Sequence, residues 1–236
     1  SAAYRQSAEA TPEKLEKDPQ DRLVSRGPRF RLDGETLRDA ALAASGLLAP
    51  AIGGPSVKPY QPEGIWEAVA MNGSDTRFYK QDHGDSLYRR SLYTFWKRSA
   101  PPASLEIFNA PTRETCTVRR ERTNTPLQAL VVMNDPQFVE AARALAARSM
   151  NAQTLDAQLD AMSERLLSRP LEPKERDILK ASYKDFLRYY DSNPAEAKKL
   201  IAVGESKPPE NLNAPELASM TMVANQLLNT DEALNK

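Results

Sequence analysis

Four arginines, Arg113, Arg119, Arg120 and Arg122, stand within ten positions of one another and alternate with Glu114 and Glu121. A guanidinium is costly to bury unpaired, and its planar fork suits bidentate recognition of carboxylate, sulfate or phosphate. The segment is therefore either an internal ion-pair lattice or an anion-binding face. As a face, Arg119, Arg120 and Arg122 would neutralise an acidic glycan or the propionates of a haem on a neighbouring domain. As a lattice, Glu114, Glu121 and Asp135 would neutralise them inside the protein. The interleaving of the two signs favours the lattice.

A second group is Asp82 and His83, in the polar turn YKQDHGD at 79–85. One histidine beside carboxylates can move protons, and Asp82, His83 and Glu121 are the polar members an oxidoreductase or carbohydrate-active site would draw on. A metal there lacks the usual two- or three-histidine set, and Asp75, Asp82 and Asp85 do not follow a calcium-loop order. No metal is expected, and the default is a solvated loop whose aspartates cap turns. Tyr60 and Trp66, set among prolines and glycines, would make a stacking platform for a sugar or a proline-rich segment. The plainer role for Trp66 is to plug its loop onto a helical core. Cys116 with Arg120 four residues on is similar to the cysteine-x-proline-x-arginine nucleophile pattern of sulfatases, but position 118 is Val. A buried small thiol packed beside the arginines is the expectation.

Proline and helix caps set out the elements that must position these groups. Thr11-Pro12 and Asp18-Pro19 each place a capping side chain before proline at the first helical position, which predicts two short N-terminal helices. Asp33 predicts a helix from Gly34 to about Leu48, with Leu37, Ala40, Ala41, Ala44, Leu47 and Leu48 on one stripe and Gly46 as its stop. Residues 50–115 are broken by Pro50, Gly53, Gly54, Pro55, Pro59, Pro62 and Gly64 and form a loop-rich cap. Within it SLYTFW at 91–96 is rich in β-formers and predicts a short strand, with a buried helix as the alternative. After Thr125 the pattern is helical. Thr125 and Gln128 make a capping box, Asp135-Pro136 restarts a helix, and further helices begin before Leu155, at Pro173, at Asn193-Pro194 and before Leu217. The fold class read from this is mainly α. Residues 125–236 form a helical bundle, and residues 1–124 carry N-terminal helices and the aromatic and arginine region, the two joined as one continuous unit.

Bulk properties narrow the function. The 236 residues carry 32 basic and 32 acidic side chains, so no net field draws nucleic acid or an acidic membrane. A single cysteine excludes an internal disulfide or a Cys-Cys metal cage. No apolar run reaches the roughly 18–20 residues of a membrane span. The chain begins Ser1-Ala2-Ala3, without an initiator Met or an apolar signal core, and reads as a fragment or processed product that is incomplete at its N-terminus.

The segments LYRRSLYTFWKR (87–98), CTVRRERTNTPLQAL (116–130) and MNDPQFVE (133–140) closely resemble domain of unknown function 1553. This is the C-terminal domain of large planctomycete cytochrome-associated proteins. GGPSV (53–57), QPEGIW (61–66) and SRP (168–170) extend the resemblance, which runs from AYRQS (3–7) to the last helix. It implies a periplasmic or extracellular multidomain protein with an export signal, a c-type cytochrome-like domain and further sequence upstream. The upstream domains would be partners, and haem c would sit on one of them. This chain has no Cys-x-x-Cys-His and binds no haem c itself. The resemblance carries over no catalytic residue. The expected role is a non-catalytic binding or assembly domain that recognises acidic polysaccharide through Tyr60, Trp66, Arg119, Arg120 and Arg122. The alternative is part of an enzyme site completed by other domains.

Overall fold

A computed structural model describes every residue except Ser1, Ala3, Tyr4, Pro28 and Lys236. The AYRQS element at 3–7 thus lies partly outside the described residues. Eleven α-helices occur among the described residues. They are α1 (Pro12–Lys17), α2 (Gly34–Ser45), α3 (Ile65–Val69), α4 (Ala103–Ile107), α5 (Pro126–Asn134), α6 (Pro136–Ser149), α7 (Leu155–Leu167), α8 (Pro173–Ser192), α9 (Pro194–Ile201), α10 (Ala214–Leu228) and α11 (Asp231–Leu234). Two 3-10 turns, Gly84–Tyr88 and Ser91–Tyr93, interrupt the loops between α3 and α4. Extended pairing among the described residues is limited to isolated bridges, among them Ala49 with Arg89 and Val57 with Thr94. The chain is mainly α.

Six of the eleven helices carry proline in their first two positions, and several of these also have a capping side chain. Thr11 accepts from the Lys14 amide, Asp135 from Gln137 and Asn213 from Glu216, each with proline in the first helical positions. Glu172 and Glu175 exchange a full capping box at the start of α8. The helix α2 ends at Ser45 because Gly46 turns left-handed, with φ +79°, and its amide takes the Ala43 and Leu42 carbonyls. It is three residues shorter than its apolar stripe suggests.

The core forms where α6 and α10 cross. Ala141, Ala142, Leu145 and Ala146 meet Leu217, Ala218, Met220, Val223 and Ala224, all buried. Each buried Leu or Met contributes about 1.5–3 kcal/mol, and the alanines let the two helices approach closely. The α8 and α9 helices flank α10, while α2 and α7 flank α6. A smaller cluster of Leu42, Leu87 and Tyr88 ties the loop-rich cap to α2.

Three local expectations are corrected. Asp18-Pro19 does not start a second helix; the Asp18 carboxylate takes the amides of Arg22 and Leu23 at 2.8 and 2.9 Å and closes a turn instead. Residues 91–96 do not form a strand. The Asp39 carboxylate captures the Ser91 amide at 2.8 Å, the chain tightens into a 3-10 turn, and only Val57 then pairs with this stretch. Thr125 caps α5 as expected, but Gln128 does not reach back. Its amide donates to the Ile107 carbonyl at 3.1 Å and to Thr123 Oγ1 at 3.0 Å.

Candidate binding surface

The arginine segment is exposed from Thr112 through Arg119. Cys116 is a free, exposed thiol, which corrects the expected burial. Arg120 forms the bidentate pair that its chemistry favours, but with Glu35 at 2.7 and 2.9 Å, in the first turn of α2. Asp33, at the cap of the same helix, lies 3.9 Å away. Burial would raise the Glu35 carboxyl, but Arg120 overrides it and holds it below the usual carboxylate range. Arg122 lies over the Phe30 ring at 4.4 Å, and Arg113 over Trp96 at 4.4 Å. Arg119 has no carboxylate partner among the described residues. The expected partners Glu114, Glu121 and Asp135 do not take these arginines. Asp135 caps α6, burial raises its carboxyl, and the cation acting on it is Arg38. Residues Arg119 to Thr123 line an open depression of about 430 Å³.

Tyr60 and Trp66 come together, but not as an exposed platform. Trp66 is 3% exposed. Tyr79 meets it edge-on at 4.8 Å, Phe95 leans against it at 5.6 Å, and Lys97 covers the ring at 4.7 Å. The space between Tyr60, Trp66, Tyr79 and Phe95 is about 10 Å³, less than one water needs with any freedom. A sugar ring does not fit there. The prolines and glycines around the pair thus fold the aromatics inward.

Asp82, His83 and Glu121 are not brought to one place. Asp82 accepts from the Lys58 amide at 2.7 Å and so fastens two loop segments. His83 Nδ1 sits 2.7 Å from Glu205 Oε2, and the Gly84 amide donates to Glu205 Oε1 at 2.6 Å. These two contacts, the amide first, hold the Glu205 carboxyl below its ordinary range. Glu121 lines the arginine depression, and no hydrogen bond or ion pair among the described residues links it to Asp82 or His83. Among the described residues no three His, Cys, Asp or Glu side chains are placed to hold a metal ion.

The most constrained polar groups were not singled out from the sequence. Glu140, on α6 and 1% exposed, accepts from four donors: Tyr60 OH at 2.9 Å, Tyr88 OH at 2.8 Å, and the Ser206 amide and hydroxyl at 2.6 Å. Arg143, one turn on, lies 3.6 Å from Glu140 and donates to the Ser206 carbonyl and hydroxyl at 2.6 Å. Burial together with Glu140 pushes the Tyr88 phenol up to about 12 and the Tyr60 phenol higher still. The strap Gly204–Ser206 is thereby clasped to α6 and to the aromatic cap, since the Glu205 amide also donates to Tyr60 OH at 2.7 Å.

Two further guanidiniums hold the cap. Arg38, 3% exposed, donates to the Leu87 and Arg89 carbonyls at 2.7 and 2.8 Å and to Gln137 at 2.6 Å. Arg89 lies over Tyr93 at 3.9 Å and donates to the carbonyls of Ala51, Gly53 and Pro55. The signal for Arg38, Glu140 and Arg143 was present: each is a charge inside an apolar helical stripe. Charges so placed are internally paired. They fasten the fold, while Arg119 and Arg122 lie on the surface with no carboxylate partner among the described residues.

Among the described residues no helix is long and apolar enough to cross a membrane. No curated protein and no solved structure matches the chain. One family model does, over residues 1–183; its description reads PSD1, protein of unknown function (DUF1553). That match takes in the arginine segment, Tyr60, Glu140 and Arg143 and ends within α8, ahead of the strap.

Proposed function

The chain belongs to the PSD1 family, proteins of unknown function (DUF1553), and we propose that it serves as a non-catalytic binding or assembly domain. Its Arg119–Arg122 face takes an acidic polysaccharide. One observation carries this reading: the buried arginines and Glu140 are paired inside the protein, while Arg119 and Arg122 sit on an open depression without a carboxylate partner among the described residues. Arg120, clamped by Glu35, holds the segment to α2 and leaves its neighbours to face outward. The carboxylates or sulfates of a linear polyanion would sit between the Arg119 and Arg122 guanidiniums. The sequence resemblance supports the wider setting: an exported multidomain protein, periplasmic or extracellular, whose upstream domains include one carrying haem c. Residues 1–124 and 125–236 act in it as one unit.

Titration with a polyuronate and a sulfated glycan tests the reading, with neutral dextran as control. The wild-type chain binds the two polyanions, and affinity falls as salt rises through the range where the screening length shrinks from about 30 to 10 Å. Replacing Arg119 and Arg122 by Ala lowers affinity about tenfold or more without changing the far-ultraviolet dichroism. Binding that ignores both salt and the substitutions would sink the proposal.

A further inference from the structure

A second surface, separate from the arginine segment, lies between α2 and α7. Two depressions of about 380 and 570 Å³ share Ala40 and Leu166 and so form one groove. Its floor is apolar: Leu32, Ala40, Ala43, Ala44, Leu166 and Leu167. The exposed line of α2 along it, Thr36, Ala40 and Ala43, consists of small side chains at helical spacing. Small ridges let a third helix pack at the near end of the usual 8–10 Å range.

The ends of the groove differ in charge. At one end Arg148 and Arg165 are exposed, and neither has a carboxylate partner among the described residues. Among the described residues Arg165 donates only to the Ala161 carbonyl of its own helix, at 3.1 Å. Glu164, beside Arg165 in the chain, does not line the groove. At the other end Arg29 pairs with Asp231, and Glu232 with Arg169 at 2.5 Å, so that end is neutralised. What remains unmatched along the groove is positive charge at one end of an apolar floor.

We infer that this groove docks an amphipathic helix of a partner polypeptide, with acidic side chains at the end that meets Arg148 and Arg165. The 12 residues of α2 extend about 18 Å, enough for three turns of a partner lying alongside. A lipid tail fits less well, because Thr36, Asn235 and the Arg29–Asp231 pair would face hydrocarbon along half its length. A helix meets those groups with polar side chains of its own. This surface gives the protein an assembly contact independent of the glycan face, and either can fail without the other.

Panning a phage-displayed library of helix-forming peptides on the full chain tests the inference, with counter-selection on Ala43→Arg. That substitution fills the groove from an exposed position. The expected consensus has apolar residues at i, i+3 or i+4, and i+7, with Asp or Glu clustered at one end. Measured by fluorescence anisotropy, the enriched peptide loses about tenfold or more in affinity for R148E/R165E, and Ala43→Arg abolishes binding. A peptide exchanging those acids for Lys prefers the reversed variant. No enrichment, a neutral or basic consensus, or affinity indifferent to R148E/R165E overturns the inference. So does dodecanoate competing as tightly as the peptide, which assigns the groove to a small amphiphile. Sedimentation showing a dimer that Ala43→Arg dissolves assigns it to a second copy and overturns it too.

Discussion

Replacing Gly204 by alanine puts the clasp to a quantitative test. Gly204 has φ +89°, and a Cβ there would lie 2.3 Å from Glu140 Cδ and 2.6 Å from its Cγ and Oε1. Left-handed backbone costs an L-residue about 1–2 kcal/mol. Crowding adds about 1–3 kcal/mol, because Glu140 is held by four donors and has no free direction in which to move. The sum is about 2–5 kcal/mol. For a chain of this size each kcal/mol shifts Tm by roughly 2–4 °C, so a fall of about 4–20 °C is expected in thermal unfolding. Gly53→Ala is the control: φ is +79°, but nothing lies within 4 Å of the added atom, leaving strain alone. It should cost about 1–2 kcal/mol. If the two variants melt together, or Gly204→Ala melts within about 1 °C of the parent, Glu140 does not pack against the strap as described.

Other outcomes follow from the same contacts. The Glu205 carboxyl is held below its ordinary 4.5, so its tie to Gly84 and His83 is present above that value and is lost as pH falls through the lower folded value. Protection of the Gly84 amide from exchange, relative to its intrinsic rate at each pH, should fall as pH drops from neutral to acid, and Glu205→Gln should remove that pH dependence; identical profiles would break the link. Arg38→Met leaves the Leu87 and Arg89 carbonyls buried without donors, and urea unfolding should show a loss of about 3–5 kcal/mol. Less than about 1 kcal/mol would mean that the cap does not depend on this guanidinium. Cys116 should titrate as one thiol with a chromogenic disulfide in the native state, at a rate unchanged by subdenaturing urea. A thiol that reacts only on unfolding would place the loop inside the protein.

The helices were legible because their signals are local. Thr11-Pro12, Thr125-Pro126 and Asp135-Pro136 fix a start through one capping side chain and one restrained φ, and nothing distant needs to be known. The apolar stripe of α2 was legible for the same reason, and Leu37, Ala41 and Ala44 of it are buried. Residues 91–96 misled because their fate lies in α2. Asp39, fifty-two positions away, takes the Ser91 amide, and Arg38 donates to the Leu87 and Arg89 carbonyls just before it. Asp18-Pro19 carried a helix-start signal, but its carboxylate found two later amides that close a turn.

The candidate site was legible in composition but not in pairing. Glu114 and Glu121 sit nearest the arginines in sequence, yet the carboxylate that clamps Arg120 is Glu35, eighty-five positions away. Local interleaving of charge says little where the chain doubles back. The aromatic pair shows the converse: proline and glycine around Tyr60 and Trp66 left both a stacking platform and a plugged Trp66 open, with the plug the plainer reading, and the turns bury Trp66 against Tyr79 and Phe95. The charges within the α2 and α6 stripes were the clearer sign of where fastening occurs.

Arginine modification by phenylglyoxal, read by mass spectrometry with and without saturating polyuronate, tests the binding face most directly. Without glycan, Arg119 and Arg122 should react fast, while the buried Arg38, Arg89 and Arg143 stay inert. With glycan, Arg119 and Arg122 should be protected and the exposed Arg148 and Arg165 should continue to react. Unchanged modification of Arg119 and Arg122 at saturation, or protection confined to Arg148 and Arg165, would contradict the assignment of the acidic ligand to this face.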